Sequence, residues 1–109
     1  MHPRWAAEKP HSSTWRAPRG RSRAEAIAEQ DRAAGGGNRR VVALPDGGRS
    51  TGSIELKLLG GRRVYAYLRY TQNRRTVAVY VGEATGQTRA ERLRSAWRIV
   101  HNRALTRRD

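Results

Sequence analysis

Three consecutive runs of alternating apolar and polar residues in the second half of the chain limit the folds open to it. Residues 53–59, 62–70 and 76–82 each place an apolar side chain at every second position. A period of two is typical of a β-strand with one buried face. The first two runs are separated by Gly60–Gly61, which suits a tight two-residue hairpin turn, and the last two by the polar residues 71–75. We therefore predict a three-stranded antiparallel meander.

A helix is predicted directly after the meander. Thr88 and Glu91 have the spacing of a capping box, in which each side chain satisfies a free N–H group of the first turn. Residues 88–108 contain neither glycine nor proline. One apolar stripe should cover the apolar face of the sheet, which gives an α+β fold of order β-β-β-α over residues 53–109. The stripe consists of Leu93, Ala96, Trp97, Val100 and Ala104.

The first half of the chain has weaker patterns. Residues 1–21 hold three of the four prolines and no apolar period, so we predict a disordered basic tail. Trp5 and Trp15 are unusual in such a tail, and they suit stacking on bases or docking to a partner. Residues 35–52 are rich in glycine and are predicted to form a flexible linker.

Between the tail and the linker, residues 22–34 are predicted to form a short helix. Ser22 and Glu25 have capping-box spacing, and strong helix formers follow them. Ile27 is the one sizeable apolar side chain in this segment. A helix of this length with a single anchor is marginal alone, so we expect it at the periphery. The N-terminal region is thus predicted to be mostly disordered and basic, with one short helix.

Charge and composition restrict the function. The 109 residues include 23 Lys or Arg, of which 21 are Arg, against 9 Asp or Glu, so the formal net charge is +14. Such an excess calls for an anionic partner. Cysteine is absent, which excludes a disulfide scaffold, and no apolar run is long enough for a membrane span. The three histidines are scattered and do not suggest a zinc site, so we expect no cofactor. We also expect no membrane partner and a cytoplasmic location, in association with the nucleoid if the source is bacterial.

The second strand carries the most specific functional signal. Arg63, Tyr65, Tyr67 and Arg69 alternate there and should share the face of the sheet that the helix leaves open. Guanidinium groups bind phosphates and guanine edges, and tyrosine rings stack on bases or pack against sugars. The alternative is a purely structural role, in which these residues form cross-strand Arg and Tyr pairs on a solvated sheet. We predict binding to DNA, with RNA left open, through Lys57, Arg63, Tyr65, Tyr67, Arg69, Arg74, Arg75, Tyr80, Arg94 and Arg98. The linker pair Arg39–Arg40 also has the character of a phosphate clamp.

The string GRRVYAYLRYTQNRRTVAVYVG, residues 61–82, resembles two groups of proteins. It is similar to the small sheet-plus-helix DNA-binding modules of tyrosine-type integrases and AP2-type domains, over roughly residues 53–106. It also resembles tyrosine-rich segments of mobile-element-associated proteins of unknown activity. The first resemblance implies that the exposed strands enter the major groove of DNA, with the helix behind them.

A weaker resemblance points to an enzyme. Val64–Tyr65, then Tyr80–Val81–Gly82, then Arg92 on a helix, is similar to GIY-YIG endonucleases. The resemblance implies metal-assisted hydrolysis supported by two tyrosines and an arginine. The gap of 15 residues between the tyrosines is longer than that family favours, and the expected downstream glutamate has no counterpart. We therefore expect a protein that is not an enzyme, with such a nuclease fragment or a basic protein-interaction module as the alternatives.

Overall fold

The computed structural model describes residues 9–106 and, within that range, contains two α-helices and five β-strands. The strands are β1 Val41–Ala43, β2 Arg49–Thr51, β3 Ser53–Leu59, β4 Arg63–Gln72 and β5 Arg75–Glu83. The helices are α1 Arg23–Ala34 and α2 Arg89–Asn102, with 3₁₀ helices at Ser12–Thr14 and Gly37–Arg40. Strands β3, β4 and β5 form an antiparallel sheet in that order, and β1 pairs with β2 in a separate two-stranded sheet. Within the described residues, no helix has the length and apolar character that a membrane span requires.

The predicted three-stranded meander is confirmed. Its first turn differs in length from the prediction, because Leu59 pairs with Arg63 and leaves three residues between the strands. Gly60 and Gly61 both have positive φ, at 65° and 73°, which a residue without a Cβ adopts at little cost. Arg62 is the third residue of this turn, and its side chain is exposed.

The predicted C-terminal helix is also confirmed, and it covers the apolar face of the sheet. Thr88 accepts a hydrogen bond from the N–H of Glu91, which is one half of the predicted capping box, but the Glu91 carboxylate accepts from the N–H of Gln87 and not from that of Thr88. The helix ends at Asn102, so Ala104, at φ 55° and exposed, lies beyond it and does not join the stripe. Arg107 and Arg108, in the last part of the predicted helix, lie outside the described residues. The core cluster consists of Ala34, Val42, Ile54, Leu56, Val64, Ala66, Leu68, Val81, Ala84, Leu93, Ala96, Trp97 and Val100.

The segment predicted as a flexible linker contains two strands that the prediction lacks. The N–H of Leu44 donates to the carbonyl of Gly48 at 2.9 Å, and the Asp46 carboxylate accepts from the N–H of Gly48 at 2.8 Å. The N–H of Thr71 in β4 donates to the Ser50 hydroxyl at 3.1 Å, which joins this hairpin to the main sheet. Each of its strands has three residues, which is too few for alternation to be visible in the sequence.

The short helix α1 is present with the predicted capping box at Ser22 and Glu25. It docks through a polar residue, since the Gln30 side chain is buried while Ile27 is 42% exposed. Gln30 Nε2 donates to the Ile54 carbonyl and Gln30 Oε1 accepts from the Ile54 N–H, both at 3.0 Å. Ile54 lies in β3, an edge strand of the sheet, so the Gln30 amide makes hydrogen bonds that a neighbouring strand would otherwise make. Trp97 Nε1 also donates to Gln30 Oε1, at 3.1 Å.

Arg40 adds a second polar connection, and the prediction that it clamps phosphate is wrong. Its side chain is buried, with Nε donating to the Gly52 carbonyl at 2.9 Å. One terminal nitrogen donates to the Asp31 carboxylate at 2.7 Å and the other to the Ser53 hydroxyl at 2.9 Å. A buried guanidinium needs such partners, because an unpaired buried charge is strongly unfavourable. Arg39, the other member of the predicted clamp, is exposed.

The predicted disordered tail differs from the structure where it is described. Trp15 is half-buried against the core, and its carbonyl accepts a hydrogen bond from Arg89 of α2. Glu29 of α1 also binds Arg89, at 2.9 Å, together with Arg21. Burial raises the pKa of Glu29, but the two guanidinium groups together lower it by more, so the pKa lies below its ordinary value. Residues 1–8, with Trp5, lie outside the described residues.

Candidate nucleic-acid interface

The face of the main sheet that α2 does not cover is the candidate interface, and we call it the outer face. Strand β4 fixes its composition, because Val64, Ala66 and Leu68 point into the core and the residues between them point away from it. The structure thus brings together the four residues that were predicted to share this face. The charged and aromatic side chains of the outer face are those of Glu55, Lys57, Arg63, Tyr65, Tyr67, Arg69, Tyr80 and Glu83.

Three tyrosine rings form the centre of the outer face. Tyr67 lies opposite Tyr80 in the strand register, with ring centroids 5.6 Å apart in an edge-to-face arrangement. The rings of Tyr65 and Tyr80 are 6.0 Å apart and tilted by 49°. Tyr80 is 51% exposed, and Tyr65 and Tyr80 form with Leu59 the wall of a shallow depression of about 450 Å³. Such a depression can take a thymine methyl group, a sugar or the face of a base.

A β-bulge in β5 decides which of its residues reach the outer face. Tyr80 pairs with Tyr67, but Gly82 pairs with Ala66, so Val81 is the extra residue and its side chain is buried. Beyond the bulge the alternation changes phase, and Glu83 lies opposite Tyr65. Sequence periodicity missed Glu83 as a member of this face. Gly82 was the available signal, because glycine inside a strand often marks a bulge.

The charges of the outer face are largely paired with one another. Glu55 accepts a hydrogen bond from Arg69 at 3.0 Å and lies 3.9 Å from the ammonium of Lys57. Arg63 lies 3.7 Å from Glu83. The Lys57 ammonium is also 5.0 Å from the centre of the Tyr67 ring, a cation–π contact. With three cations and two carboxylates, the outer face has a small positive charge, and its aromatic centre is more distinctive than its charge.

Two further predicted residues, Arg74 and Arg75, lie at the tip of the β4–β5 hairpin. Gln72 pairs with Arg75, so Asn73 and Arg74 form a two-residue turn, with φ of 51° and 64°. Two successive residues at positive φ are typical of a type I′ turn, whose second position favours glycine. Both arginines are exposed, and neither side chain forms an ion pair with another residue in the described range.

The structure separates the last two predicted residues from the outer face. Arg94 and Arg98 are exposed on α2, which packs on the other side of the sheet.

The residues that carry the nuclease resemblance lie on opposite sides of the sheet. Tyr65 and Tyr80 are neighbours on the outer face, whereas Arg92 is on α2 and donates to the Ala84 carbonyl at 2.7 Å. Burial lowers the pKa of Arg92.

Comparison with known proteins adds no relative. The chain matches no protein-family model, no curated protein and no solved structure. Among residues 9–106, moreover, no cluster of three histidine or carboxylate side chains could hold a metal ion. The geometry of the outer face is therefore the basis for assigning a function.

Proposed function

We propose that this chain is a nucleic-acid-binding protein, that duplex DNA is its ligand and that the outer face is its contact surface. One observation carries the proposal. Arg63, Tyr65, Tyr67 and Arg69 lie side by side on a sheet face that neither helix covers. Solvated sheet faces are ordinarily rich in Thr, Ser, Lys and Glu side chains. Here three tyrosines and two arginines are concentrated instead, and these residue types stack on bases and sugars and bind phosphates or guanine edges.

The shape of the sheet suits the major groove, which admits an α-helix or a β-ribbon. In the proposed complex, β4 and its neighbours lie along the groove, with Tyr67 and Tyr80 against sugars or thymine methyl groups. Arg63 and Arg69, at opposite ends of the tyrosine row, contact guanine edges or phosphates. Each arginine is now beside a carboxylate, Glu83 for Arg63 and Glu55 for Arg69, and these carboxylates oppose the approach of phosphates.

The hairpin tip extends the proposed interface at one end. The predicted contacts Arg74 and Arg75 would bind backbone phosphates there, since both are exposed and neither has an ion-pair partner within residues 9–106. Arg94 and Arg98 form a separate basic surface on α2. In the proposal that surface attracts DNA over a distance but does not contact the segment that lies on the sheet.

Direct titration tests the proposal. Fluorescence anisotropy with labelled duplex DNA, duplex RNA and single-stranded DNA should give the tightest binding to duplex DNA. The logarithm of the affinity for duplex DNA should fall linearly with the logarithm of the salt concentration. The slope should be about −0.9 for each phosphate contact. A flat salt response, or no binding at about 100 mM salt, would reject the nucleic-acid assignment. Tighter binding to RNA would replace duplex DNA as the ligand.

Removing the two carboxylates of the outer face should strengthen binding. In the double variant Glu55→Gln, Glu83→Gln, three cations keep their positions without neutralisation, so duplex DNA should bind about tenfold more tightly near 0.1 M salt. The salt dependence should become steeper. A circular-dichroism spectrum identical to that of the natural chain would show that the gain belongs to the folded protein. Glu25→Gln, Glu91→Gln, which removes two carboxylates elsewhere, is the control and should change affinity much less.

Substitution of Arg74 by glycine should have opposite effects on stability and binding. Glycine relieves the positive φ of 64°, so the free energy of unfolding should rise by about 1 kcal/mol. Loss of the cation should weaken duplex binding several-fold and reduce the salt slope by about 0.9. Thermal unfolding and anisotropy measure the two effects. Arg74→Lys separates them, because it keeps the charge and the strained turn. Unchanged affinity in Arg74→Gly would remove this residue from the interface.

A further inference from the structure

A second concave surface lies between α1 and β3, apart from the tyrosine rings. This groove has a volume of about 850 Å³. Its lining includes Trp15, Arg16, Arg23, Ile27, Ile54 and Arg69, and we call it the α1–β3 groove. It lies at the edge of the sheet where the first half of the chain packs against the second.

The walls of the α1–β3 groove are strongly basic. Six arginine side chains line it, against the two carboxylates of Asp31 and Glu55. Four of these arginines are engaged in the ion pairs already described. Arg16 and Arg23 are exposed, and neither is in an ion pair with any residue from 9 to 106. The groove therefore suits an anionic ligand with at least one phosphate or carboxylate group.

Apolar residues also line the groove, and we call the part formed by Ile27 its floor. Ile27 is 42% exposed there although it is the one large apolar side chain of α1. Trp15 lines the groove as well, and the Arg16 guanidinium lies 5.0 Å from the centre of its ring. Ile54 contributes little apolar contact, because its side chain is buried in the core and its main-chain groups are bonded to Gln30. A flat group attached to an anion fits this combination of apolar and basic residues, and a nucleotide is such a group.

The groove is continuous with the proposed interface. Arg69 and Glu55 line the groove and also belong to the outer face. Its volume is that of a small-molecule site, which is enough for roughly one or two nucleotides and too little for a duplex. We propose that the α1–β3 groove binds an unpaired extension of the nucleic acid whose duplex part lies on the outer face. This inference rests on the proposed function and names its substrate as a junction between double and single strands.

In the proposed complex each part of the groove has a separate role. Arg16 and Arg23 hold the phosphates of the unpaired extension. Its first base packs on Ile27 and against the indole of Trp15, and so covers an apolar side chain that is now exposed. Arg69 lies at the junction, where the backbone passes from the outer face into the groove.

The experiment compares a blunt duplex with the same duplex carrying a short single-stranded overhang, using the full chain and fluorescence anisotropy. The overhang should raise the affinity about tenfold, the effect of stacking one base. Ile27→Asp places a carboxylate on the groove floor and should abolish this increase while blunt-duplex affinity stays within about twofold. Ala24→Asp is the matched control, because Ala24 is exposed on the same helix but does not line the groove. It should keep the full increase.

A second measurement reports on the groove directly. In a Trp5→Phe chain the remaining tryptophans are Trp15, which lines the groove, and Trp97, which is fully buried. The overhang duplex should quench Trp15 emission, and the blunt duplex should not. Ile27→Asp should remove the quenching.

The outcomes separate this inference from the proposed function. Failure of every duplex to bind would reject both. Equal binding of blunt and overhang duplexes, or an increase that survives in Ile27→Asp, would overturn the groove proposal and leave the outer-face proposal standing. Displacement of the overhang by an acidic peptide that binds more tightly would also overturn it, because the groove would then be a protein-docking site.

Discussion

Replacement of Gln30 by leucine is expected to lower the free energy of unfolding by about 3 kcal/mol, although leucine is the more hydrophobic residue. The Gln30 amide bonds the N–H and the carbonyl of Ile54 and accepts from Trp97 Nε1, and all three groups are buried. Leucine would leave three buried polar groups without partners, each worth about 1–3 kcal/mol before the structure relaxes. For a domain of this size the midpoint of thermal unfolding should fall by roughly 12–24 °C.

Urea unfolding followed by circular dichroism measures this change, with Arg32→Leu as the control. Arg32 is exposed on the same helix, so its replacement should alter the stability by at most about 0.5 kcal/mol. A loss of less than about 1 kcal/mol in Gln30→Leu would mean that α1 contributes little to the fold. The first half of the chain would then behave as the flexible region that its composition predicts.

The sequence predicts the meander and α2 well because both depend on periodic burial. Val64, Ala66 and Leu68 recur with a period of two, and Leu93, Trp97 and Val100 recur with the period of a helix. Each pattern is long enough to fix which face is buried. The same alternation placed the arginines and tyrosines of β4 on the open face, so the centre of the candidate site was also predictable.

The docking of the first half could not be predicted, because its decisive contacts are polar and long-range. Gln30 and Arg40 bind main-chain groups at the edge of β3 and next to it, and neither residue type marks a buried position in a sequence. Ile27, the residue that an apolar pattern selects as the anchor, is exposed. The hairpin of β1 and β2 has strands too short to show a period. Hydrophobic periodicity therefore predicts too little ordered structure in segments that are held by side-chain hydrogen bonds instead of apolar packing.

The ion pairs of the outer face could not be predicted from the sequence either. Glu83 joins the face only because of the bulge at Val81, which shifts the phase of β5 by one residue. Without the bulge, Gly82 would lie opposite Tyr65, and Arg63 would have no carboxylate beside it. A net charge of +14 over the chain thus coexists with a nearly balanced candidate interface.

The double variant Arg63→Ala, Arg69→Ala is expected to weaken binding more than any other change proposed for the outer face. If both side chains contact bases, the binding free energy should become less favourable by roughly 1–3 kcal/mol for each arginine replaced. Arg94→Ala, Arg98→Ala removes the same charge from α2 and is the matched control. It should lower affinity by about threefold at most and only at low salt, because exposed charges beyond about 10 Å are screened. Equal effects in the two variants would mean that net charge, and not the outer face, determines binding.

A fall in affinity alone does not show that Arg69 contacts DNA, because Arg69 also neutralises Glu55 at 3.0 Å. Comparing Arg69→Ala in the natural chain and in a Glu55→Gln chain resolves this. If Arg69 acts only by neutralising Glu55, its removal should have no effect once that carboxylate is gone. If Arg69 binds the nucleic acid, the weakening should persist and exceed about 1 kcal/mol in both chains. The second result is the one that the geometry of the outer face predicts, since the Arg69 side chain remains exposed while it is paired.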